Sequence, residues 1–116
     1  MVLSLYPKSN IMSTISDKMV TRLEFSLDYD GVCEDVELFQ VGDEDLTDQV
    51  DFDKVDNFVK KLIEVDGFYI SEHRTEVSIG WDGEGKMIVF FRYFNSPDNS
   101  DFDDTEIVIE PIEFTW

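Results

Sequence analysis

Only one segment of this chain spaces its apolar side chains three and four residues apart, and that segment constrains the fold most. Within residues 51–65 the apolar positions form one stripe along a helix: Phe52, Val55, Phe58, Val59, Leu62 and Ile63. Asp51 is placed to cap the amino end, Lys60 and Lys61 lie near the carboxyl end, and Gly67 follows as a stop signal. The sequence therefore predicts a single helix over these residues.

The segments before this helix alternate apolar and polar residues, which predicts strands that are buried on one face. The first strand begins at Thr21, with Leu23, Phe25, Leu27 and Tyr29 on its buried face and Arg22, Glu24, Ser26 and Asp28 on its polar face. Asp30 and Gly31 predict a tight turn, after which residues 34–41 return as the second strand. Residues 42–49 are predicted to form an acidic loop.

Three further strands are predicted after the helix. The third spans residues 68–81, with a bulge near residues 72–75 because the alternation changes phase there. A hairpin turn joins it to residues 87–94, which are apolar on both faces and so predict a central strand. The last strand spans residues 105–116, and Pro111 within it favours a sheet edge or a bulge.

These elements follow the order β-β-α-β-β-β, which predicts an α+β fold. The two layers are one α-helix packed on a four- to five-stranded, mainly antiparallel sheet. We expect residues 1–18 to be a weakly structured amino-terminal segment with a short strand over residues 2–6, and residues 19–116 to be one acidic domain. The expected core residues are Leu23, Phe25, Leu27, Phe58, Leu62, Ile79, Val89, Phe91, Ile107 and Ile109.

The acidic residues are concentrated in two segments of the chain. With 27 Asp and Glu against 9 Lys and Arg, the net charge is −18. Twelve acids and one base lie within residues 28–56, seven acids and no base lie within residues 93–116, and the rest of the chain is neutral. Concentrated charge of one sign opposes the compact state through self-repulsion, whereas solubility needs only a small net charge spread over the surface. We interpret the concentration as a sign of a positively charged partner.

The residues offer little support for catalysis, cofactors or metals. Cys33 is the only cysteine, so we expect no internal disulfide and a reducing, cytoplasmic location; its acidic neighbours disfavour a reactive thiolate. His73 is the only histidine, and no Cys/His spacing fits zinc, no glycine-rich loop fits a phosphate and no acidic run fits an EF-hand. With 9 basic residues we expect no direct nucleic-acid binding, and no apolar run fits a membrane span or a signal peptide.

The acidic surface is therefore the feature from which function is predicted. We expect a non-catalytic inhibitor that mimics nucleic acid and blocks the basic nucleic-acid-binding site of a partner enzyme, such as a nuclease. In charge and size the chain resembles phage anti-restriction and anti-CRISPR proteins, and immunity proteins against nuclease toxins. The expected partner-binding residues are Asp28, Asp30, Glu34, Asp35, Glu37, Asp43, Glu44, Asp45, Asp48, Asp98, Asp101, Asp103, Asp104, Glu106, Glu110 and Glu113.

Three alternatives remain open from the residues alone. The first is a non-catalytic interaction or adaptor module whose acidic surface keeps it in solution. The second is a small enzyme or metal-binding domain that uses paired carboxylates. The third is a very soluble or halophilic protein whose charge has no specific target. Binding to a basic partner that weakens as salt rises separates the inhibitor from the enzyme alternative.

Overall fold

The computed structural model of the protein describes residues 2–4 and 20–115. Its strands and helix are β1 Val2–Ser4, β2 Val20–Leu27, β3 Cys33–Val41, β4 Glu44–Asp45, α1 Phe52–Leu62, β5 Thr75–Trp81, β6 Met87–Phe94, β7 Phe102–Ile109 and β8 Glu113–Thr115, with a 3-10 turn at Thr47–Gln49. The short amino-terminal strand is confirmed over Val2–Ser4, and the prediction for residues 5–18 lies outside the described residues. Across the described part of the chain, no helix has both the length and the apolar character needed to cross a membrane.

Six of the strands form one antiparallel sheet in the order β4-β3-β2-β5-β6-β7. β1 and β8 form a separate antiparallel pair, in which Leu3 lies opposite Phe114. α1 packs on one face of the six-stranded sheet, which we call the helix face; we call the other the open face. The predicted α+β fold with one helix on a mainly antiparallel sheet is confirmed, and the strand number is slightly higher than predicted.

α1 forms where the sequence predicts it because its local signals agree. The Asp51 side chain caps the helix by accepting a hydrogen bond of 2.9 Å from the backbone N–H of Asp53. The stripe is buried at Val55, Phe58, Val59 and Leu62, while its outermost members, Phe52 and Ile63, are 40% and 43% exposed at the two ends of the helix. The helix ends at Leu62 rather than at residue 65, and turns carry the chain on to Gly67.

The helix face and α1 share one hydrophobic core. Phe58 of α1 packs edge-on against Phe114 of β8, with ring centroids 5.8 Å apart, and Phe114 also contacts Phe39 of β3. Eight of the ten predicted core residues are buried. The other two, Ile107 and Ile109, are partly buried and pack against the core, because they belong to the outermost strand, β7.

The first half of the predicted third strand is wrong. Residues 68–74 form an irregular connection, and the strand itself is β5, Thr75–Trp81. Phe68 is nevertheless buried, with its ring 4.9 Å from that of Phe91 on β6. Phe68 is therefore apolar because it packs beneath the sheet. The change in the phase of the apolar–polar alternation marks the start of the strand and not a bulge within it.

The predicted loop and the predicted last strand are each divided differently in the structure. Residues 42–49 contain the short strand β4 and the 3-10 turn, so they are not one loop. The last strand is two strands separated near Pro111: β7 begins at Phe102 and pairs with β6, whereas β8 pairs with β1. Proline lacks the N–H that a continuing ladder needs, which fits this break.

Tyr29 does not lie on the buried face of β2 as predicted. β2 ends at Leu27, and the Asp28 carboxylate accepts hydrogen bonds from the backbone N–H groups of Asp30 (2.8 Å) and Val32 (3.1 Å). Gly31 has a φ of +79°, which glycine adopts at low cost, so the chain reverses tightly here. Tyr29 projects from this turn and is 66% exposed.

Candidate partner-binding surface

The two acidic segments lie mainly at opposite edges of the six-stranded sheet. β3 and β4 carry the first segment at one edge, and β7 carries the second at the other. Four strand intervals separate β3 from β7, which corresponds to about 19 Å at about 4.8 Å per interval. The acids therefore do not form one continuous array along the strands.

The two segments do meet at one end of the sheet. We call this end the loop end; it consists of the β2–β3 turn (residues 28–32), residues 71–74 and the β6–β7 loop (residues 95–101). Tyr29 and Glu34 from the first segment line one open depression of about 300 Å³ together with Pro97 and Asn99 from the second. Glu72, His73 and Arg74 line the same depression. Folding thus brings residues from both acidic segments to a single surface.

Five predicted binding residues belong to this loop end or border it: Asp28, Asp30, Glu34, Asp98 and Asp101. At the opposite end of the sheet, which we call the far end, β3 turns into β4 and carries Asp43, Glu44 and Asp45. Asp48 lies in the 3-10 turn, Asp35 and Glu37 lie on β3, and Asp103, Asp104 and Glu106 lie on β7. Glu110 follows β7, and Glu113 begins β8.

Three of these acids hold turns in shape. Asp28 organises the β2–β3 turn, and Asp45 accepts hydrogen bonds from the hydroxyl and the N–H of Thr47, which lower the pKa of Asp45. In the β6–β7 loop, Asp98 accepts from the hydroxyls of Ser100 and Ser96, and these bonds lower its pKa to about 2. Asp45 and Asp98 are exposed, but the oxygens of all three carboxylates already accept hydrogen bonds from the turns that carry them.

Three further acids are engaged by side chains that lie on β6 or directly beside its ends. Asp104 on β7 receives two hydrogen bonds from the Arg92 guanidinium on β6, at 2.8 and 3.2 Å, and the pKa of Asp104 is lowered by this pairing. Asp103 accepts from the Asn95 amide at 3.0 Å, and Glu110 forms an ion pair with Lys86. These residues contribute less uncompensated negative charge than the sequence alone implies.

The other predicted acids have no hydrogen-bonding side-chain partner within the described residues. They are Asp30, Glu34, Asp35, Glu37, Asp43, Glu44, Asp48, Asp101, Glu106 and Glu113, and all are exposed. Glu113 is set apart from the rest because it shares a depression with Lys54, Lys60 and Lys61 of α1. Uncompensated negative charge is therefore concentrated at the loop end, at the far end and along the two sheet edges.

The open face contains a groove that the sequence did not single out. It has a volume of about 220 Å³ and is lined by Glu24, Glu37, Glu76, Phe90 and Arg92 among others. The Phe90 ring is 39% exposed, although residues 87–94 were predicted to be buried on both faces. The sequence does contain one signal for this groove, because the alternation along β2 assigns Glu24 to the polar face of that strand.

The structure places the lone cysteine and the lone histidine in different surroundings. Cys33 is buried, and burial, followed by the charge of Asp56, raises the pKa of its thiol to about 11. His73 lies at the loop end, where its backbone N–H donates to the Ser71 hydroxyl at 2.9 Å. Among the described residues, no three His, Cys, Asp or Glu side chains are grouped as metal ligands.

Comparisons of this chain with protein-family models, with curated proteins and with solved structures find no match.

Proposed function

We propose that this protein is a non-catalytic inhibitor that covers the basic nucleic-acid-binding site of a partner enzyme with its acidic loop end. One observation carries the proposal: two acidic segments that are distant in sequence contribute residues to one depression around Tyr29. We place this action in the cytoplasm, because a lone buried cysteine suits a reducing compartment. The partner is a nuclease or another enzyme that processes nucleic acid, and the inhibitor itself binds no nucleic acid.

Convergence of the two segments matters because exposed charges act together only over short distances. At about 0.15 M salt the screening length is about 8 Å, so carboxylates dispersed over the molecule are felt separately. Acids grouped at the loop end present a local field that attracts lysines and arginines and accelerates encounter with a basic groove. Carboxylates of Asp30, Glu34 and Asp101 are available for such contacts, since they have no side-chain partner within the part of the chain described.

Tyr29 supplies the apolar contact that a charged surface alone lacks. Its side chain is 66% exposed and projects from a turn that Asp28 and Gly31 hold in one conformation. Tyrosine side chains bury a large area on binding at a low entropic cost, and they are enriched among the residues that dominate interface energies. Tyr29 is therefore the expected anchor of the interface, with the carboxylates around it.

Charge reversal at the two ends of the sheet tests the proposal. Asp30→Lys with Glu34→Lys changes the loop end, and Asp43→Lys with Glu44→Lys makes the same charge change at the far end. None of these four side chains holds a turn or pairs with another side chain among the described residues, so both variants are expected to fold. The partner is first captured from the natural host on the immobilised protein and eluted with salt.

For each variant we then measure the rate of association with the captured enzyme. We also measure how well the variant displaces that enzyme from nucleic acid. We expect the loop-end variant to lose inhibition and the far-end variant to retain most of it. Equal behaviour of the two variants would contradict a loop-end interface. A partner without a basic groove, or binding indifferent to salt, would exclude a nucleic-acid mimic.

A second function, an adaptor that joins other proteins, is favoured by the apolar groups of the open face. Phe90 on β6 and Val108 on β7 are 39% and 55% exposed, and Ile88, opposite Val108, is half-buried beside them. For this function, Phe90→Ser should abolish partner binding while loop-end charge reversal leaves it intact. If the protein is instead the inhibitor, loop-end charge reversal should abolish partner binding and Phe90→Ser should leave it intact.

A further inference from the structure

β7 is a long sheet edge that has one neighbour among the described strands. It spans eight residues, Phe102–Ile109, and pairs only with β6 within the described sheet. The pairing is continuous from Met87 opposite Ile109 to Phe94 opposite Phe102. Its other side therefore presents a regular row of backbone groups.

Hydrogen-bonded and non-hydrogen-bonded pairs alternate along an antiparallel ladder. This alternation identifies the residues of β7 whose backbone groups point away from the sheet. The N–H of Asn95 donates to the carbonyl of Asp101 at 2.8 Å, so this pair is hydrogen-bonded and every second pair after it is too. Residues 103, 105, 107 and 109 bond to β6. The N–H and C=O groups of Phe102, Asp104, Glu106 and Val108 consequently face away from the sheet.

This edge lacks most of the features that commonly block strand addition. β7 is long and has no proline, lysine or bulge, so the protection that it carries is the charge of its three acids. The opposite edge of the same sheet shows the contrast, because β4 there covers only Gln40 and Val41 of β3, and register shifts interrupt the pairing of β3 with β2. β7 is therefore the sheet edge, within the described residues, that is best suited to receive another strand.

The charge of β7 determines which strand fits. Asp103, Asp104 and Glu106 lie on it with no basic residue, and Glu106 faces Phe90 rather than a cation across the sheet. A second copy of this chain would place carboxylates against carboxylates, and like charges directly opposite each other destabilise a strand pair. A basic strand would instead neutralise Glu106 and give Asp104, which Arg92 already pairs, a second cation, and apolar side chains on it would cover the exposed Phe102 and Val108.

We propose that β7 accepts an extended, basic segment of the partner protein as a seventh strand of the sheet. Backbone hydrogen bonds to Phe102, Asp104, Glu106 and Val108 would hold the segment, as in other cases of strand addition. The partner segment should place an apolar, a basic, a basic and an apolar side chain on the open face, in that order, at every second residue. The inference deepens the proposed function and rests on it, since it assumes a basic partner.

Amide hydrogen exchange with a synthetic peptide tests the pairing directly. The peptide VTKTKTV, blocked at both ends, carries the required pattern and reads the same in both directions, so either strand orientation is sampled. With the peptide at about ten times its Kd, exchange should slow about tenfold at the amides of residues 102, 104, 106 and 108. The amides of residues 103, 105, 107 and 109 are already bonded to β6 and should change little.

Control peptides and two variants separate strand addition from charge attraction. VTETETV should give no alternating protection, nor should VTKTKTV N-methylated at its three central residues, which lacks N–H groups needed in either strand orientation. Glu106→Pro removes one outward N–H and should weaken VTKTKTV binding about tenfold more than Glu106→Gln, which removes the charge alone. The protection pattern of the unmodified protein remains decisive if Glu106→Pro fails to fold.

Three outcomes would overturn the inference. They are no alternating protection with VTKTKTV, equal protection by VTETETV, and alternating protection that rises with protein concentration without peptide, which would identify a second copy as the occupant. These outcomes concern β7 alone. A captured partner that loses affinity on loop-end reversal, yet binds Glu106→Pro normally, leaves the proposed function standing and removes the strand addition.

Discussion

At the scale of single residues, the acids that hold the backbone differ in role from the acids that are open to a partner. Asp28, Asp45, Asp51 and Asp98 use a side-chain oxygen to accept backbone N–H groups in turns or at the helix start. Such bonds satisfy donors that the local backbone leaves unpaired. Acids such as Glu34 have no bond of this kind among the described residues and remain available for a partner.

Phe58 is the residue whose truncation we expect to destabilise the fold most clearly. Its side chain is 2% exposed and packs against Phe25 and Phe114 with ring centroids 6.5 and 5.8 Å away. Phe58→Ala should lower the free energy of unfolding by about 3–5 kcal/mol in urea melts. Phe52→Ala, on the same helix but 40% exposed, is the matched control and should cost much less. Equal losses would mean that the helix does not bury the Phe58 side of its surface.

Cys33 should make the stability of the protein depend on pH in the alkaline range. Burial, and secondarily Asp56, raise the pKa of its thiol from 9.0 to about 11. Because the folded state favours the neutral thiol, this contribution is complete below pH 9 and is lost as the pH rises towards 11. The stability advantage of the unmodified protein over Cys33→Ala should therefore shrink across this range in urea melts. A constant difference would show that the thiol pKa is the same in both states.

At the scale of elements, one hydrogen bond joins the amino-terminal half of α1 to the sheet. Asp51 caps its first turn, and the carboxylate of Asp56 accepts a hydrogen bond of 2.8 Å from the backbone N–H of Cys33 at the start of β3. The second bond crosses from helix to sheet and satisfies a buried residue. The helix is thus held in register with β3 as well as packed on the core.

The cap on α1 gives a prediction at this scale. Asp51→Ala removes the acceptor of the Asp53 N–H and should lower the free energy of unfolding by about 1 kcal/mol. Asp51→Asn keeps an oxygen acceptor at the same position, so it should retain most of the stability. Urea melts of the three proteins provide the measurement. A loss of the same size in both variants would assign the effect to the charge near the helix end instead of to the hydrogen bond.

At the scale of the whole molecule, self-repulsion should oppose folding. The net charge is −18, and three of the arginines are already paired with acids, as Arg22–Glu24, Arg74–Glu76 and Arg92–Asp104. Added salt screens the remaining like charges, so Tm should rise between low salt and about 0.15 M NaCl. Asp43→Asn with Glu44→Gln, which lowers the charge at the far end, should show a smaller rise. A Tm that falls with salt would mean that the ion pairs outweigh the repulsion.

The local features of this protein can be read from its residues alone. The stripe around Phe58 with its Asp51 cap specifies α1, and the turn at Gly31 and the turn between β5 and β6 specify two hairpins, because side-chain spacing and backbone φ are local properties. Packing is what places β2 between β3 and β5, buries Phe68 outside any strand, and brings Glu34 near Asn99. Sheet order, burial and the grouping of charge arise from packing between distant segments, and the spacing of residues along one segment does not encode which other segment covers it.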